Sequence, residues 1–307
     1  MSILVTTSSF ASYSSEPLKL LDEEGYKIEL NQTGRKITSD ELLSYAKGCE
    51  GLIAGTEQYS KDVLSKMENL KVISRLGVGI DNIDINETKK LNIKVFTTQT
   101  SPSLAVAELA IGSMLNLARK IPFMNQQMKV GKWEKSMGIL FSQKTLGIVG
   151  LGTIGKKVAE LLTGFNLKIL AFDNIQDDEF SRKHGIDFCD LDELLRNSDF
   201  VSIHLNASKE NHHLINKSKL NLMKEDAFLI NTSRGEVVDE KALEEALRKG
   251  RLGGAALDVF EKEPYDGKLN GLENVFLTPH IGSYAKEIRI KMEIDATKNL
   301  INGLKNE

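Results

Sequence analysis

The chain has 307 residues, of which 41% are hydrophobic and 27% are charged, and its formal net charge is −3 at pH 7. This composition is that of an ordinary globular protein and not of a disordered or fibrous one. It contains no basic block of the kind that neutralises nucleic-acid phosphates, so nucleic acid is excluded as an expected partner. About two domains of roughly 100 to 200 residues each are expected from the length.

Membrane attachment, export and metal binding are not expected. The most apolar stretch, residues 104–118, is interrupted by Glu108 and Asn116 and is shorter than the roughly 20 residues of a membrane span. The N-terminus shows no charged leader and no cleavage site of a signal peptide. Cys49 and Cys189 have neither CxxC spacing nor a histidine at a zinc-binding interval. A cytoplasmic protein without membrane contact, disulfide framework or metal is predicted.

The first hundred residues alternate short β-branched runs with helical patterns, which predicts a parallel sheet. Ser101 then stands as an N-cap before Pro102 at the first helical position. The apolar helix that follows is predicted to reach about Leu117 and to begin a second domain. The strands predicted for the first sheet are residues 3–6, 51–54, 71–74 and 94–97.

The same alternation restarts at residue 145 and predicts a six-stranded doubly wound sheet. Residues from about 285 to 304 have helical periodicity and are expected to pack on the first domain. The predicted fold is therefore α/β with two doubly wound domains, one of residues 1–100 and 285–307 and one of residues 101–284. The strands predicted for the second sheet are residues 145–149, 168–172, 200–204, 227–231, 254–259 and 275–277.

Residues 150–155 read Gly-Leu-Gly-Thr-Ile-Gly and directly follow a predicted strand. In a dinucleotide-binding turn, Gly150 permits the tight turn and Gly152 lets the backbone approach a pyrophosphate. Gly155 allows the next helix to pack closely on the strand. The alternative is a glycine-rich turn without a ligand, but the order of strand, turn and helix favours a nucleotide site.

Thr153 and Ile154 open the helix after this turn, where backbone N–H groups can bind phosphate. The helix is predicted to run to Thr163 and to end at a left-handed Gly164. The next strand ends at Asp173, whose carboxylate can accept hydrogen bonds from a ribose diol and would repel a 2′-phosphate. NAD is therefore the predicted cofactor, in preference to NADP.

Three later segments place Arg234, Glu263 and His280 at or just beyond strand ends, where ligands bind in such sheets. The planar guanidinium of Arg234 can hold a carboxylate and polarise the adjacent carbonyl. A histidine exchanges protons near neutral pH, so His280 is the predicted general acid and base. Glu263, hydrogen-bonded to the other ring nitrogen, would fix the tautomer and favour imidazolium. Singly, Arg234 and His280 could be structural residues, but together they predict hydride transfer between NAD and a 2-hydroxy or 2-oxo acid.

Weaker assignments concern the same strand ends. Asp258 is predicted to hold the nicotinamide carboxamide and so orient the ring, and Gly282 is included among the cofactor-binding positions. No chemistry is assigned to His204, and His212 and His213 are interpreted as solvated loop residues.

These motifs resemble, over nearly the whole chain, those of the D-2-hydroxyacid dehydrogenase family, and most of all its phosphoglycerate dehydrogenase branch. The resemblance implies a flavodoxin-like substrate domain built from both chain ends, an inserted Rossmann NAD domain and a two-fold dimer. It also implies that Arg234, Glu263 and His280 are catalytic. The motifs that carry it are residues 75–84, 106–110, 150–155, 231–239, 254–264 and 279–282.

The family also implies roles for further residues. The loop matching Val78, Gly79 and Ile80 would supply backbone donors to the substrate carboxylate. The helix after Pro102 would build much of a homodimer interface, and Trp133 resembles an aromatic residue that reaches across to the partner subunit.

The chain also departs from the phosphoglycerate branch. That branch often carries an arginine in the loop after its third strand, where this chain has Gly55-Thr56-Glu57. Unless Arg75 replaces the missing cation, we expect 3-phosphoglycerate to be a poor substrate and a different, larger polar 2-hydroxy acid to be preferred. The chain ends without the C-terminal regulatory domain of long phosphoglycerate dehydrogenases, so feedback control through such a domain is not expected.

Two rival functions share this scaffold. C-terminal-binding-protein corepressors resemble the family and keep the same triad, so an NAD-sensing binding protein is the alternative from another class. Formate dehydrogenases pair their histidine with glutamine, so Glu263 disfavours that branch.

Overall fold

The computed structural model describes residues 1–305. The strands are β1 (Ser2–Val5), β2 (Lys27–Leu30), β3 (Gly51–Ala54), β4 (Val72–Arg75), β5 (Lys94–Thr97), β6 (Thr145–Val149), β7 (Lys168–Phe172), β8 (Ile186–Phe188), β9 (Phe200–Ile203), β10 (Phe228–Asn231), β11 (Gly254–Leu257) and β12 (Val275–Leu277). The helices are α1 (Glu16–Glu23), α2 (Ser39–Tyr45), α3 (Lys61–Leu64), α4 (Ile85–Lys90), α5 (Ser103–Arg119), α6 (Ile121–Lys129), α7 (Thr153–Leu161), α8 (Asp178–His184), α9 (Leu191–Asn197), α10 (Lys217–Leu220), α11 (Glu240–Arg248) and α12 (Lys286–Lys305).

The chain folds into two compact units. The first unit comprises Met1–Pro102 and the residues from Ser283 onward, and the second comprises Ser103–Gly282. Each unit holds one parallel sheet, so each must bury both faces of its sheet under helices.

The sheet of the first unit has the order β2-β1-β3-β4-β5, with every pairing parallel. This is the flavodoxin-like order, whose reversal point lies between β1 and β3. The helix α12 packs on β3, β4 and β5, so the last helix lies on the first unit, as predicted. The strand β2 is not predicted from sequence because it is an edge strand of alternating exposed residues, with Lys27 and Glu29 facing solvent.

The sheet of the second unit has seven strands, in the order β12-β11-β10-β9-β6-β7-β8. The prediction of six strands was wrong because it omitted the edge strand β8. This strand has three residues, of which only Ile186 is buried. The first helix of this unit begins at Ser103 and ends at Arg119. Pro102 therefore lies just before the helix and not at its first position, as was predicted from the sequence. It packs on α7 and β10.

Within residues 1–305, no helix is long and apolar enough to cross a membrane, and no three His, Cys, Asp or Glu side chains are grouped so as to hold a metal ion. Cys49 and Cys189 are free thiols. The predicted cytoplasmic location stays a prediction.

Candidate active site

The turn between β6 and α7 depends on three glycines. Gly150 has a φ of +97°, and a Cβ added there would lie 2.8 Å from the carbonyl oxygen of His204. A Cβ on Gly155 would lie 2.2 Å from the carbonyl oxygen of Gly150, so only glycine allows α7 to start this close to the strand. A Cβ on Gly152 would meet nothing within 4 Å, so the backbone is open to a ligand there.

The N-terminus of α7 differs from those of α8, α9 and α11 in the same unit. Helices α8, α9 and α11 are capped by the side chains of Asp177, Asp190 and Asp239, whereas the N-cap of α7 is Gly152 and no side chain caps it. The first backbone N–H groups of a helix, here including those of Thr153 and Ile154, have no partner within the helix. They carry the positive end of the helix dipole, which suits a pyrophosphate.

The end of α7 differs from the prediction. The helix ends at Leu161 and is followed by a short 3₁₀ turn over Thr163–Phe165. The left-handed residue is Asn166, with a φ of 52°, and not Gly164. Asparagine tolerates this conformation well enough to close the turn.

Beside this turn lies a cleft of about 420 Å³, entirely within the second unit and lined by Gly150, Gly152 and Asp173 among others. The Asp173 carboxylate accepts hydrogen bonds from the backbone N–H of Leu151 at 2.7 Å and of Ile175 at 3.1 Å. A carboxylate has about four acceptor positions, so capacity remains for a ribose diol. The glycine cradle, the uncapped helix and this acid together fit a dinucleotide such as NAD.

His204 also lines this cleft, although no chemistry is predicted for it from the sequence. Its Nε2 lies 2.9 Å from Ser202 Oγ, and its Nδ1 has no hydrogen-bond partner among residues 1–305. Burial lowers the pKa of His204 to about 4, so the ring is neutral near pH 7. The strand order could have predicted that His204 lies at the site. His204 follows β9, which pairs with β6 at the reversal point of the sheet, and ligands bind at such a point.

Arg234 is held by the loop after β10. The Asn231 side chain accepts hydrogen bonds from the backbone N–H and Oγ of Ser233 and donates to the Arg234 carbonyl at 2.8 Å. A Cβ on Gly235 would lie 1.9 Å from the carbonyl carbon of Phe260. Glycine at 235 therefore brings the Arg234 loop directly against the loop that leads to Glu263.

His280 and Glu263 form the pair that the sequence predicted as acid/base and partner. The Nδ1 atom of His280 lies 3.1 and 2.9 Å from the two Glu263 carboxylate oxygens, and Glu263 also accepts from the Phe260 N–H at 3.3 Å. His280 adopts a left-handed φ of 55°, held by hydrogen bonds from its N–H to the carbonyls of Asp258 and Thr278. Because Glu263 occupies Nδ1, Nε2 is the ring atom left for a ligand.

Asp258 is only 2% exposed. One carboxylate oxygen accepts from Thr278 Oγ1 at 2.6 Å and from the Ile281 N–H at 2.8 Å, and the other accepts from the Gly282 N–H at 2.8 Å. Burial raises the pKa of Asp258, although these hydrogen bonds oppose the rise. The observed contacts fix the segment that carries His280, and the roles of Asp258 and Gly282 toward nicotinamide stay predictions.

His212 and His213 differ in their surroundings. His212 is exposed. His213 lies 3.0 Å from the carboxylate of Glu261, so it is not simply solvated: it contacts the loop between Asp258 and Glu263.

The predicted substrate loop lies in the first unit, directly after β4. The Arg75 guanidinium donates to the Leu76 carbonyl and lies over Gly77, whose φ is +149°. The backbone N–H groups of Val78, Gly79 and Ile80 donate no hydrogen bond within the described residues. Three consecutive unused donors are suited to an anion such as a carboxylate.

The second unit is thus a dinucleotide-binding domain, and comparison with known proteins identifies its family. Residues 111–282 match the family model described as the NAD binding domain of D-isomer specific 2-hydroxyacid dehydrogenases. The chain is 40% identical over 296 residues to the glyoxylate reductase of Thermococcus litoralis, a match covering 93% of this chain and 89% of that protein. It is 39% identical over 278 residues to the D-3-phosphoglycerate dehydrogenase of Methanocaldococcus jannaschii, covering 89% and 52% respectively.

The crystal structure of the TT0316 protein from Thermus thermophilus superposes with a TM-score of 0.89 at 33% identity, covering 100% of this chain and 98% of that one. The chain belongs to the D-isomer specific 2-hydroxyacid dehydrogenase family, a family of oxidoreductases. The predicted family, fold class and NAD cofactor are confirmed. The chain spans about half the length of the phosphoglycerate dehydrogenases that it matches.

The partly buried imidazole of His204, whose Nδ1 is shielded from solvent, predicts an acid-sensitive second unit. Its pKa in the folded protein, about 4, lies below the ordinary value of 6.5, so the unfolded chain takes up the proton first as the pH falls. The resulting stability is fully present above about pH 6.5 and is lost between pH 6.5 and 4, by up to about 3 kcal/mol.

Urea unfolding at pH 7 and pH 5 tests this. The loss of unfolding free energy on acidification should be smaller for His204→Gln than for wild type, because glutamine does not titrate. His212→Gln, at an exposed position, should behave as wild type. Equal losses in wild type and His204→Gln would contradict the assignment.

Proposed function

We propose that the chain is an NAD-dependent dehydrogenase that interconverts a D-2-hydroxy acid and its 2-oxo acid. The observation that carries the proposal is the hydrogen-bonded pair of His280 Nδ1 and Glu263 in the same unit as the dinucleotide turn. The relatives named for glyoxylate and for 3-phosphoglycerate support this substrate class, since both compounds are 2-oxo or 2-hydroxy acids.

Each side chain has one task in the proposed reduction. NADH, held by the turn between β6 and α7 and by Asp173, would supply a hydride for the substrate carbonyl carbon. Arg234 binds the substrate carboxylate through its planar fork and polarises the carbonyl oxygen. As negative charge develops on that oxygen, Nε2 of His280 delivers the proton, and in oxidation the same atom takes the hydroxyl proton. Glu263 accepts the hydrogen bond from Nδ1–H and so fixes the tautomer and the orientation of the ring, which leaves Nε2 for the substrate.

The first unit is proposed to bind substrate. The unused N–H groups of Val78, Gly79 and Ile80 support this role, because backbone donors bind a carboxylate without adding a counter-charge. Arg75 adds a cation at the base of the same loop, although its guanidinium is turned toward the Leu76 carbonyl.

The segment after α6 is proposed to form a homodimer with a second copy. Residues 130–140 have no helix or strand, and they expose Val130 (65%), Trp133 (79%), Met137 (89%) and Leu140 (72%). Large apolar side chains grouped at the surface mark an interaction site. A two-fold dimer would bury this segment twice in one closed interface.

The proposed acid/base role predicts a large kinetic effect at one histidine. His280→Asn should lower kcat/KM for NADH-dependent reduction of a 2-oxo acid by about 10² to 10⁴, because the proton donor is lost, while NADH still binds. His212→Asn, at the exposed histidine, should stay within twofold of wild type.

Initial rates with glyoxylate, pyruvate and hydroxypyruvate, with NADH binding followed by fluorescence, measure this effect. A loss below tenfold in His280→Asn would sink the acid/base role. If wild type binds NADH but reduces no 2-oxo acid, the NAD-sensing alternative gains and the dehydrogenase proposal fails.

Asp173 predicts a preference for NADH over NADPH of at least about tenfold in kcat/KM, because its carboxylate repels a 2′-phosphate. Asp173→Asn should narrow the preference, since the amide oxygen can still accept from the Leu151 N–H but carries no charge. Asp187→Asn, on the exposed face of β8, removes the same charge elsewhere and should leave the ratio unchanged. Equal use of both cofactors by wild type would refute the assignment.

The dimer proposal predicts that wild type sediments as a dimer. The double variant Trp133→Ser and Met137→Ser should weaken the dimer by at least tenfold in Kd, because the apolar anchors are lost. Tyr13→Ser, a change at an exposed aromatic residue of the first unit, is the control. A monomeric wild type in analytical ultracentrifugation would contradict the proposal.

A further inference from the structure

The loop that carries Glu263 has no regular secondary structure of its own. Residues 258–263, the Glu263 loop, lie between β11 and Pro264 and contain no helix or strand. Asp258 fixes the beginning of this loop through its hydrogen bonds to the segment of His280. The position of Glu263 therefore depends on the side-chain contacts that hold the remainder of the loop.

Two glutamates join the outer part of this loop to α11. Oε1 of Glu261 accepts a hydrogen bond at 3.1 Å from the backbone N–H of Glu240, the first residue of α11. In return, Oε1 of Glu240 accepts one from the Glu261 N–H at 2.6 Å. Burial raises the pKa of Glu240, the hydrogen bond from the Glu261 N–H lowers it, and the charges of Glu261 and Glu263 raise it. Because like charges repel, these carboxylates are stabilised by a side-chain donor from another part of the chain.

His213 is that donor. Its Nε2 lies 3.0 Å from Oε1 of Glu261, and an ionised carboxylate can only accept a hydrogen bond. Within residues 1–305, no other side chain donates to Glu240 or Glu261. The backbone of His213 is also fixed, because its N–H donates at 2.8 Å to the carbonyl of Glu236 in the 3₁₀ turn after β10. His213 therefore connects that turn with the Glu263 loop.

The segment that ends near His213 lines the cofactor cleft on its other side. The Asn211 side chain donates to the Asn206 carbonyl at 3.0 Å, and the Leu214 N–H donates to the Asn211 carbonyl at 3.1 Å. These bonds give the segment a compact shape that does not depend on Glu261. The residues of the segment that line the cleft are Leu205, Asn206, Glu210, Asn211 and Leu214.

We propose that His213 is a positioning residue for the pair of Glu263 and His280. Its bond to Glu261 holds the Glu263 loop so that the Glu263 carboxylate meets Nδ1 of His280. The inference rests on the proposed function and deepens it, since His213 makes no hydrogen bond to Glu263 or His280 within the described residues. Loss of the bond should reduce turnover and leave the cofactor cleft intact.

Three variants and one control isolate the bond. His213→Asn keeps a residue that tolerates the left-handed φ of 49°, but its amide is too short to reach Glu261. His213→Gln restores a donor, because its amide nitrogen is as many bonds from the backbone as Nε2 of histidine. Glu261→Ala removes the same bond from the other side. His212→Asn is the control, since it removes the ring stacked on His213 at 4.1 Å and leaves the bond to Glu261.

Steady-state kinetics with glyoxylate, pyruvate and hydroxypyruvate measure the effect on turnover. His213→Asn and Glu261→Ala should each lower kcat by about tenfold, because a misplaced catalytic group loses rate. The Kd for NADH should stay within twofold of wild type. His213→Gln and His212→Asn should stay within threefold of the wild-type kcat. Circular dichroism melts establish that each variant is folded.

A double-mutant cycle with Glu263→Ala distinguishes positioning from a general structural role. If His213 acts through the Glu263 carboxylate, His213→Asn should lower kcat by less than twofold once that carboxylate is absent. A merely structural role predicts the same factor in both backgrounds. Equal factors would overturn the inference, as would a loss below threefold in folded His213→Asn or equal losses in His213→Asn and His213→Gln.

Hydrogen–deuterium exchange tests the loop without relying on activity. The N–H groups of Phe260 and Glu261 donate to the carboxylates of Glu263 and Glu240, so their exchange reports whether the loop is held. A peptide covering residues 258–263 should exchange at least threefold faster in His213→Asn and at the wild-type rate in His212→Asn. Unchanged exchange in His213→Asn would contradict the inference. If wild type reduces no 2-oxo acid, the proposed dehydrogenase activity fails, while the exchange rates still decide whether His213 holds the loop.

Discussion

The parallel alignment of every strand is the constraint on which the rest of the structure depends. Because all strands of a sheet run the same way, their carboxyl ends meet at one edge, and the loops that follow share that edge. In the second unit this places the dinucleotide turn, His204 and the Arg234 loop at the ends of neighbouring strands. In the first unit it places the ends of β1 and β3 at the same edge as the loop after β4.

Close backbone contacts then determine which residues of that edge can meet. Gly155 lets α7 start against the turn, and Gly235 lets the Arg234 loop touch the backbone of Phe260. Hydrogen bonds from two side chains hold the loops in place. Asn231 binds the backbone of its own loop, and Asp258 binds the segment that carries His280. The catalytic candidates are thus positioned by neighbours that take no part in proton transfer.

Much of this could be predicted from sequence because it depends on local pattern: buried strands are continuous apolar runs, and the glycine turn has a fixed spacing. The strands β2 and β8 were missed because edge strands bury few side chains. The hydrogen bonds of Asp258 and the burial of Glu57 could not be predicted, because they depend on residues at least 20 positions away in the chain. The position of His204 at the cleft could have been predicted by first placing the strand before it, β9, beside β6.

The left-handed backbone of His280 has a consequence for how this protein can change. A residue with a Cβ costs roughly 1–2 kcal/mol in that conformation, and glycine does not. The substitution that would most relax the backbone at position 280 is therefore one that removes the imidazole. Under the proposed proton-transfer role of His280, selection for a more stable fold and selection for proton transfer act in opposite directions at this single position.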